Sequence, residues 1–226
     1  MKPEELTGQI HSHLTQVSTL HQTLLTEQKV HHDLIALVNS AYASGFELTV
    51  ASGFRDFSRQ LQIWNHKFTG LRPILDSDSQ PLDPLFLSGT EKMFAILRWS
   101  ALPGASRHHW GTDFDIYARN LLPKDQTLHL EPWEYLSGHQ YEFYCWLNEH
   151  LTDFGFFFPY ARDLGGVAPE PWHISHRLRS QDYMAACTPA LLTSVLESAD
   201  IAGKEVILHQ LADLYTRYIT NICQPD

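Results

Sequence analysis

Two short segments of this chain hold side chains at spacings suited to chemistry on a metal. The first is Ser106-Arg107-His108-His109-Trp110-Gly111-Thr112-Asp113-Phe114-Asp115, and the second is Glu170-Pro171-Trp172-His173. Catalytic zinc takes three protein ligands in tetrahedral array and leaves the fourth position to water or substrate. His108 can supply a ring nitrogen from a loop, Asp115 an oxygen after a turn at Gly111, and His173 a second nitrogen from a separate strand. Glu170, three positions before His173, can reach a water in such a site without being a ligand. A carboxylate there takes a proton from water as it attacks and returns it to a leaving amine. Taken singly, His-x6-Asp and Glu-x2-His are short patterns that chance supplies in many chains. Their conjunction in a frame punctuated by glycine is the informative feature.

A third segment is Ala51-Ser52-Gly53-Phe54-Arg55-Asp56-Phe57-Ser58-Arg59-Gln60. An arginine that follows a strand and a glycine turn is placed to enter a cleft. Its guanidinium would bind a substrate carboxylate in bidentate fashion or stabilise the oxyanion of a tetrahedral intermediate. The competing, purely structural reading of Arg55 is an ion pair with Asp56.

Together the three segments resemble the D-alanyl-D-alanine carboxypeptidases and dipeptidases, VanY-like zinc peptidases that share a fold with the hedgehog signalling domain. Their pattern runs Ser-Gly-aromatic-Arg with a Gln five residues after the Arg, then Ser-x-His-x2-Gly-x3-Asp, then Glu-x-x-His. This chain meets it at Ser52, Gly53, Phe54, Arg55 and Gln60, at Ser106, His108, Gly111 and Asp115, and at Glu170 and His173. The resemblance covers about residues 46–176. It implies one zinc ion (Zn2+) per chain held by His108, Asp115 and His173, with Glu170 as general base and Arg55 as binder of an oxyanion or carboxylate. Ser106 and Gln60 are expected on the substrate side of the site. Ser106 either donates to substrate or shapes the loop before His108, and Gln60 orients Arg55 or a loop carbonyl.

The same resemblance implies peptidoglycan stem peptides (muropeptides) containing D-amino acids as substrates. A carboxypeptidase of D-alanyl-D-alanine type is expected, with dipeptidase and endopeptidase cleavage open to the same metal set. A zinc-containing binding module without turnover is the alternative of a different class, and the joint presence of Glu170 and Arg55 argues against it. Many relatives carry a small residue where this chain has Asp113. On a strand Asp113 and Asp115 share a face, so Asp113 either supports the site as an acceptor or competes as a ligand. The family spacing favours Asp115. His109 and His176 adjoin the ligands and are read as structural.

Positioning these groups requires strands beneath them. Phe46-Glu47-Leu48-Thr49-Val50 alternates as a strand before the Ser52-Gly53 turn, and residues 112–117, 156–158 and 172–174 read as further strands. Helices are expected from Ser58 to Phe68 and over residues 90–99, 140–154 and 189–222. Upstream, Leu6, Ile10, Leu14, Val17, Leu20 and Leu24, then Leu34, Leu37, Val38 and Ala41, recur at three- and four-residue steps. That period predicts two helices or one long broken one. Residues 69–89 and 120–138 read as loops, the first rich in Pro, Asp, Ser and Gly and long enough to rim a cleft. The fold class is α+β: a small antiparallel sheet flanked by helices, hedgehog/DD-peptidase-like under the resemblance. One zinc peptidase domain is expected over residues 1–226, with helical additions at 1–45 and 188–226.

Bulk properties narrow the partners. A net charge of −10 opposes a nucleic-acid footprint, because a polyanion would be repelled. No apolar run is long enough for a membrane span. Residues 1–6 are polar and acidic where a signal peptide is basic and then apolar, so a cytoplasmic location is expected. The three cysteines, Cys145, Cys187 and Cys223, are too widely spaced for a zinc ribbon or a disulfide framework and read as reduced thiols. Most of the fourteen histidines, including His11, His13, His21, His31 and His32, are expected in solvated or capping roles.

Overall fold

The computed structural model describes residues 1–224. A short helix α1 (Pro3–Leu6) leads into a hairpin of β1 (Leu14–Ser18) and β2 (Thr23–Glu27), followed by helix α2 (His31–Ala43) and strand β3 (Leu48–Ser52). Helix α3 (Phe57–Phe68), a small hairpin of β4 (Ile74–Leu75) and β5 (Pro81–Leu82), and helix α4 (Gly89–Leu97) come next. Strand β6 (Asp113–Ala118), helices α5 (Pro132–Leu136) and α6 (Tyr141–His150), and strands β7 (Phe156–Phe157) and β8 (His173–His176) follow. Helices α7 (Arg177–Ala186), α8 (Pro189–Ser198), α9 (Lys204–His209) and α10 (Leu211–Leu214) lie towards the C-terminus. Among the described residues no helix is long and apolar enough to cross a membrane.

The α+β class expected from the sequence is the one observed. Strands β3, β6, β8 and β7 form, in that order, an antiparallel sheet. Alternation along β6 sends Phe114 and Ile116 to one face, where they are buried with Leu34 and Leu37 of α2 and Phe143 and Leu147 of α6. Each such side chain contributes roughly 1.5–3 kcal/mol by leaving water, which fixes which face of β6 is apolar. Asp113 and Asp115 are thereby turned to the opposite face. A second apolar cluster joins Trp64 of α3, Met93 and Ile96 of α4, and Leu192, Leu196 and Ile207 of the C-terminal helices. The Trp64 indole donates to the Ala202 carbonyl at 2.9 Å, tying α3 to the segment before α9.

The helical reading of the N-terminal region holds for α2, whose Leu34, Leu37, Val38 and Ala41 are buried as the period requires. It fails over residues 6–24, which form only the end of α1 and most of the β1–β2 hairpin. Thr15, Ser18, Thr19, Thr23 and Thr26 explain the failure: Ser and the β-branched Thr favour extended and turn backbone over helix. The apolar spacing is satisfied in the hairpin too, where Val17 pairs with Leu24. The 69–89 loop carries the β4–β5 hairpin, the 120–138 loop carries α5, and α7 forms where no helix was expected.

Candidate active site

Backbone pairing assembles the polar face of the sheet. Strand β8 runs antiparallel to β6 with His173 opposite Asp115 and Ser175 opposite Asp113. A register shift between Val50 and Ser52 sets Ser52 across from Asp115, so the chain leaves β3 beside the same carboxylate. Gly111 makes the turn between His108 and β6 in left-handed backbone, φ 68°. Its carbonyl accepts from the Thr26 hydroxyl at 3.1 Å and from the Glu27 N–H at 2.9 Å. A Cβ at Gly111 would stand 2.5 Å from Leu14 Cδ2, so the N-terminal hairpin is seated directly on this turn.

His108, Asp115 and His173 are all buried, and one donor atom from each lies within 4.8 Å of the others. His108 Nε2 is 3.4 Å from Asp115 Oδ2, and His173 Nδ1 is 3.1 Å from Asp115 Oδ1. Tetrahedral donors at zinc distances stand about 3.3 Å apart, so this spacing fits the ion. The remaining ring nitrogens are already used. His108 Nδ1 lies 3.0 Å from the Gly53 carbonyl and His173 Nε2 lies 3.1 Å from Asp113 Oδ1. Carbonyl and carboxylate oxygens only accept, so those nitrogens carry protons, and His108 Nε2 and His173 Nδ1 are the ring nitrogens left to ligate a metal ion. Asp115 Oδ1 is buried with no hydrogen-bond partner. Such an oxygen, in a nest of inward-facing donors, suits a cation.

Asp113 is fully buried and supports the site from behind. Besides His173 it accepts from Arg107 Nε at 2.7 Å and the Thr112 hydroxyl at 2.6 Å. Arg107, 4% exposed, also donates to the Ser175 hydroxyl and stacks its guanidinium 5.1 Å from the Trp110 ring. Burial opposes the charge on Asp113 and on Asp115, but Arg107 and His173 around the first, and His108 and His173 around the second, outweigh it. Both carboxylates therefore sit below the ordinary range and are ionised at neutral pH. Burial likewise opposes a charge on His173, yet Asp113, Asp115 and Glu170 lift it well above its ordinary value. The concentrated negative charge is what a divalent cation would balance.

Glu170 Oε2 lies 3.4 Å from His173 Nδ1, and its side chain is 12% exposed. Arg55 reaches the same cleft. Its guanidinium donates to Gln60 Oε1 at 2.9 Å and the Ser52 hydroxyl at 2.8 Å, and its backbone N–H donates to the His108 carbonyl at 3.1 Å. The Asp56 pairing considered for it does not form, since Asp56 caps α3 by accepting from the Arg59 N–H. Gln60 is fully buried, and its amide nitrogen donates to the Ala101 carbonyl at 2.7 Å. It is a positioning residue that holds both Arg55 and a loop carbonyl, as the sequence reading of its role anticipated. Ser106 is buried with its hydroxyl unpartnered, and it lines the cleft.

The neighbouring histidines diverge as expected. His109 Nδ1 donates to the Arg55 carbonyl at 2.6 Å while Nε2 accepts from the Gly104 N–H at 3.1 Å. Full burial holds its pKa down to about 4, so it is neutral scaffold. His176 pairs with Asp33 at 3.0 Å and caps α7. Sequence reasoning assigned no role to Arg107, for which adjacency to His108 was the one available signal, and missed Tyr160 altogether. The Tyr160 ring packs 5.0 Å from that of His173, and its carbonyl accepts from the Glu170 N–H. Burial pushes its phenol up to about 12.

The cleft has a volume of about 460 Å³. Arg72 and Ser79 of the 69–89 loop, and His129, Leu130 and Glu131 of the 120–138 loop, contribute to its walls, so both loops rim it. Tyr218 and Ile219, beyond α10, contribute as well.

The sequence matches the profile described as "VanY: D-alanyl-D-alanine carboxypeptidase" over residues 23–178. An uncharacterized protein of Haemophilus influenzae is 37% identical over 125 residues, 52% of this chain and 92% of that one. A D-alanyl-D-alanine carboxypeptidase of Enterococcus faecalis is 30% identical over 140 residues, 61% of this chain and 42% of that one. Among solved structures, VanYB in complex with D-Alanine-D-Alanine is similar with TM-score 0.53 and 24% identity, covering 88% of this chain and 90% of that one. A mutant of the vancomycin-resistance D,D-pentapeptidase VanY in complex with Zn(II) gives TM-score 0.52 and 23% identity, covering 88% and 91%. At these identities the structural likeness is one of fold.

Proposed function

Because this chain belongs to the VanY family of D-alanyl-D-alanine carboxypeptidases, we propose that it is a zinc-dependent peptidase that removes the terminal D-alanine from peptidoglycan stem peptides. The observation that carries the zinc assignment is the convergence of His108 Nε2, Asp115 and His173 Nδ1 within 4.8 Å, with both rings locked from behind by Gly53 and Asp113. The zinc complex of a fold relative supports the choice of metal. Bound there, zinc would supply a Lewis acid that polarises the scissile carbonyl and makes water more acidic.

This chain's residues do the rest. Glu170, at the mouth of the ligand set, takes the proton of the attacking water on its carboxylate and passes it to the leaving amine. Arg55, held by Gln60 and Ser52, presents its remaining N–H groups to the oxygen on which negative charge develops. Fixing the guanidinium before substrate arrives avoids reorganisation during the reaction. Ser106 offers a buried hydroxyl with no protein partner, suited to a peptide N–H or C=O.

Mass spectrometry of defined muropeptides tests the reading, with zinc-loaded protein, a chelated sample and Glu170→Ala side by side. Loss of one D-alanine, absent from both controls, is the expected result. Internal cleavage would replace carboxypeptidase by endopeptidase on the same groups. Undiminished zinc-dependent hydrolysis by Glu170→Ala would overturn the role given to that carboxylate.

A further inference from the structure

The cleft contains cations that the proposed reaction does not use. Lys67, in the last turn of α3, and Arg72, just beyond it, line the same cavity as Arg55 and Glu170. The Lys67 ammonium donates to the Ser100 hydroxyl at 2.7 Å, a neutral acceptor that satisfies one of its three N–H groups. Arg72 is anchored through its backbone N–H to the His66 carbonyl at 2.9 Å, which leaves the side chain free. Among the described residues neither cation forms an ion pair. That is unusual in a chain with 26 acidic residues against 16 basic ones, where acidic partners are plentiful.

A bland account of Lys67 exists: a cation at a helix C-terminus is favoured by the helix dipole. It does not explain why the ammonium turns away from the α3 carbonyls to Ser100, half-buried inside the cleft. Residue 67 lies ten positions beyond the first residue of α3, about 15 Å along the axis, so Arg55 and Lys67 approach the cavity from opposite ends of one helix.

We propose that Lys67 and Arg72 form a carboxylate-binding subsite in the cleft, separate from Arg55, that reads an anionic group of the peptide substrate. The inference rests on the peptidase reading above and adds to it a second anchor. Burial, with the nearby charges of Arg72 and Arg55, lowers Lys67 to about 8 against the opposing pull of Glu170. The ammonium is still protonated at neutral pH and lacks only a counter-charge. A carboxylate placed between Lys67 and Arg72 would supply it through charge-assisted hydrogen bonds. Near its scissile bond a stem peptide offers two such groups: its C-terminal carboxylate, or the side-chain carboxylate of a diamino diacid within it.

The test compares zinc-loaded wild type, Lys67→Met, Arg72→Met and Lys67→Arg on three peptides. These are a D-alanyl-D-alanine-terminated stem peptide containing a diamino diacid, its C-terminal amide, and its counterpart with lysine in place of the diacid. Lys67→Met and Arg72→Met are expected to raise KM roughly 10- to 100-fold for the parent peptide, the worth of one charge-assisted hydrogen bond. The effect should vanish for whichever peptide lacks the carboxylate that is read, and Lys67→Arg should recover most of it. Loss of the effect with the amide assigns the terminal carboxylate, and loss with the lysine peptide assigns the side chain. An equal rise in KM on all three peptides, or no rise, overturns the subsite. If wild type cleaves none of them the peptidase reading fails instead. Calorimetric titration of the same peptides into Glu170→Gln protein, with and without Lys67→Met, then decides the subsite: a carboxylate-dependent loss of affinity upholds it, and its absence overturns it.

Discussion

Replacing Asp113 by Asn keeps the shape of the side chain and removes a charge from a position that water does not reach. Two separate losses follow. Arg107 is left as a buried cation whose remaining partners are the Ser175 hydroxyl and the Trp110 ring, with its Nη1 already unpartnered. Breaking a buried pair in this way costs about 3–5 kcal/mol, a large part of the roughly 5–15 kcal/mol that holds a domain together. His173 also loses the anionic acceptor 3.1 Å from Nε2 that fixes its ring and tautomer. The removal of such a partner typically lowers metal affinity about 10- to 100-fold. Urea unfolding of the metal-free protein reads the first loss, and zinc competition against a chromophoric chelator reads the second. Because the folded Asp113 ionises below the unfolded value of 3.8, its contribution is intact above about pH 4 and lost as the pH falls further. The double variant Asp113→Asn/Arg107→Met removes the orphaned cation, so it should be more stable than the sum of the two single changes while remaining deficient in zinc. Strict additivity in stability would refute the ion-pair argument. A zinc affinity for Asp113→Asn within twofold of wild type would refute the argument from ring orientation.

Three further outcomes follow from the same geometry. Gln60→Leu should lower kcat/KM about tenfold or more by releasing Arg55, with zinc content unchanged; loss of zinc in this variant would mean that Gln60 supports the metal site. Gly111→Ala forces a side chain into left-handed backbone 2.5 Å from Leu14, and should shift the denaturant midpoint by about 1–3 kcal/mol or more in stability. An unchanged midpoint would show that the hairpin is not seated on this turn. Burial pushes the Cys187 thiol from 9.0 up to about 11, so the fold favours its protonated form. That contribution is complete below pH 9 and is lost as the pH rises through 11, amounting to at most about 3 kcal/mol. Cys187→Ala should flatten the fall in stability over that interval relative to wild type, and an identical slope would sink the assignment.

That His108, Asp115 and His173 converge was legible because these residues are bound to short segments whose spacing the backbone dictates. Asp115 and His173 need only sit on adjacent antiparallel strands to face each other, and the alternation that hides Phe114 and Ile116 turns Asp115 to the opposite side. Asp113 shares that face by the same rule, so spacing could place it near the metal without saying whether it binds. What separates the two carboxylates is His173 itself, whose Nε2 points to Asp113 while Nδ1 points to Asp115. That distinction depends on a ring orientation, which no sequence pattern contains. The N-terminal hairpin was misread for a related reason: leucines three and four apart satisfy a helix and equally satisfy a pair of short strands. The arbiter is the Thr-rich backbone between them together with a tertiary contact, the Gly111 carbonyl, 84 or more residues distant.

The walls of the cleft belong to a different category. Lys67 becomes a wall residue only because α3 packs so that its ammonium meets Ser100, 33 residues on. Leu130 faces the cavity from left-handed backbone, φ 57°, held by the buried Glu134 carboxylate, which accepts the backbone N–H groups of His129 and Glu131 on either side. Tyr218 and Ile219 reach the cleft from beyond residue 178, where the family match ends. Asp115 and His173 are thus placed by the sheet, where pairing rules make short motifs sufficient. The cleft is walled by loops and C-terminal residues that converge only in three dimensions. Chains that share the ligand set can therefore differ in the peptides they accept, and in this one the unpaired charges of Lys67 and Arg72 are where that difference should be sought.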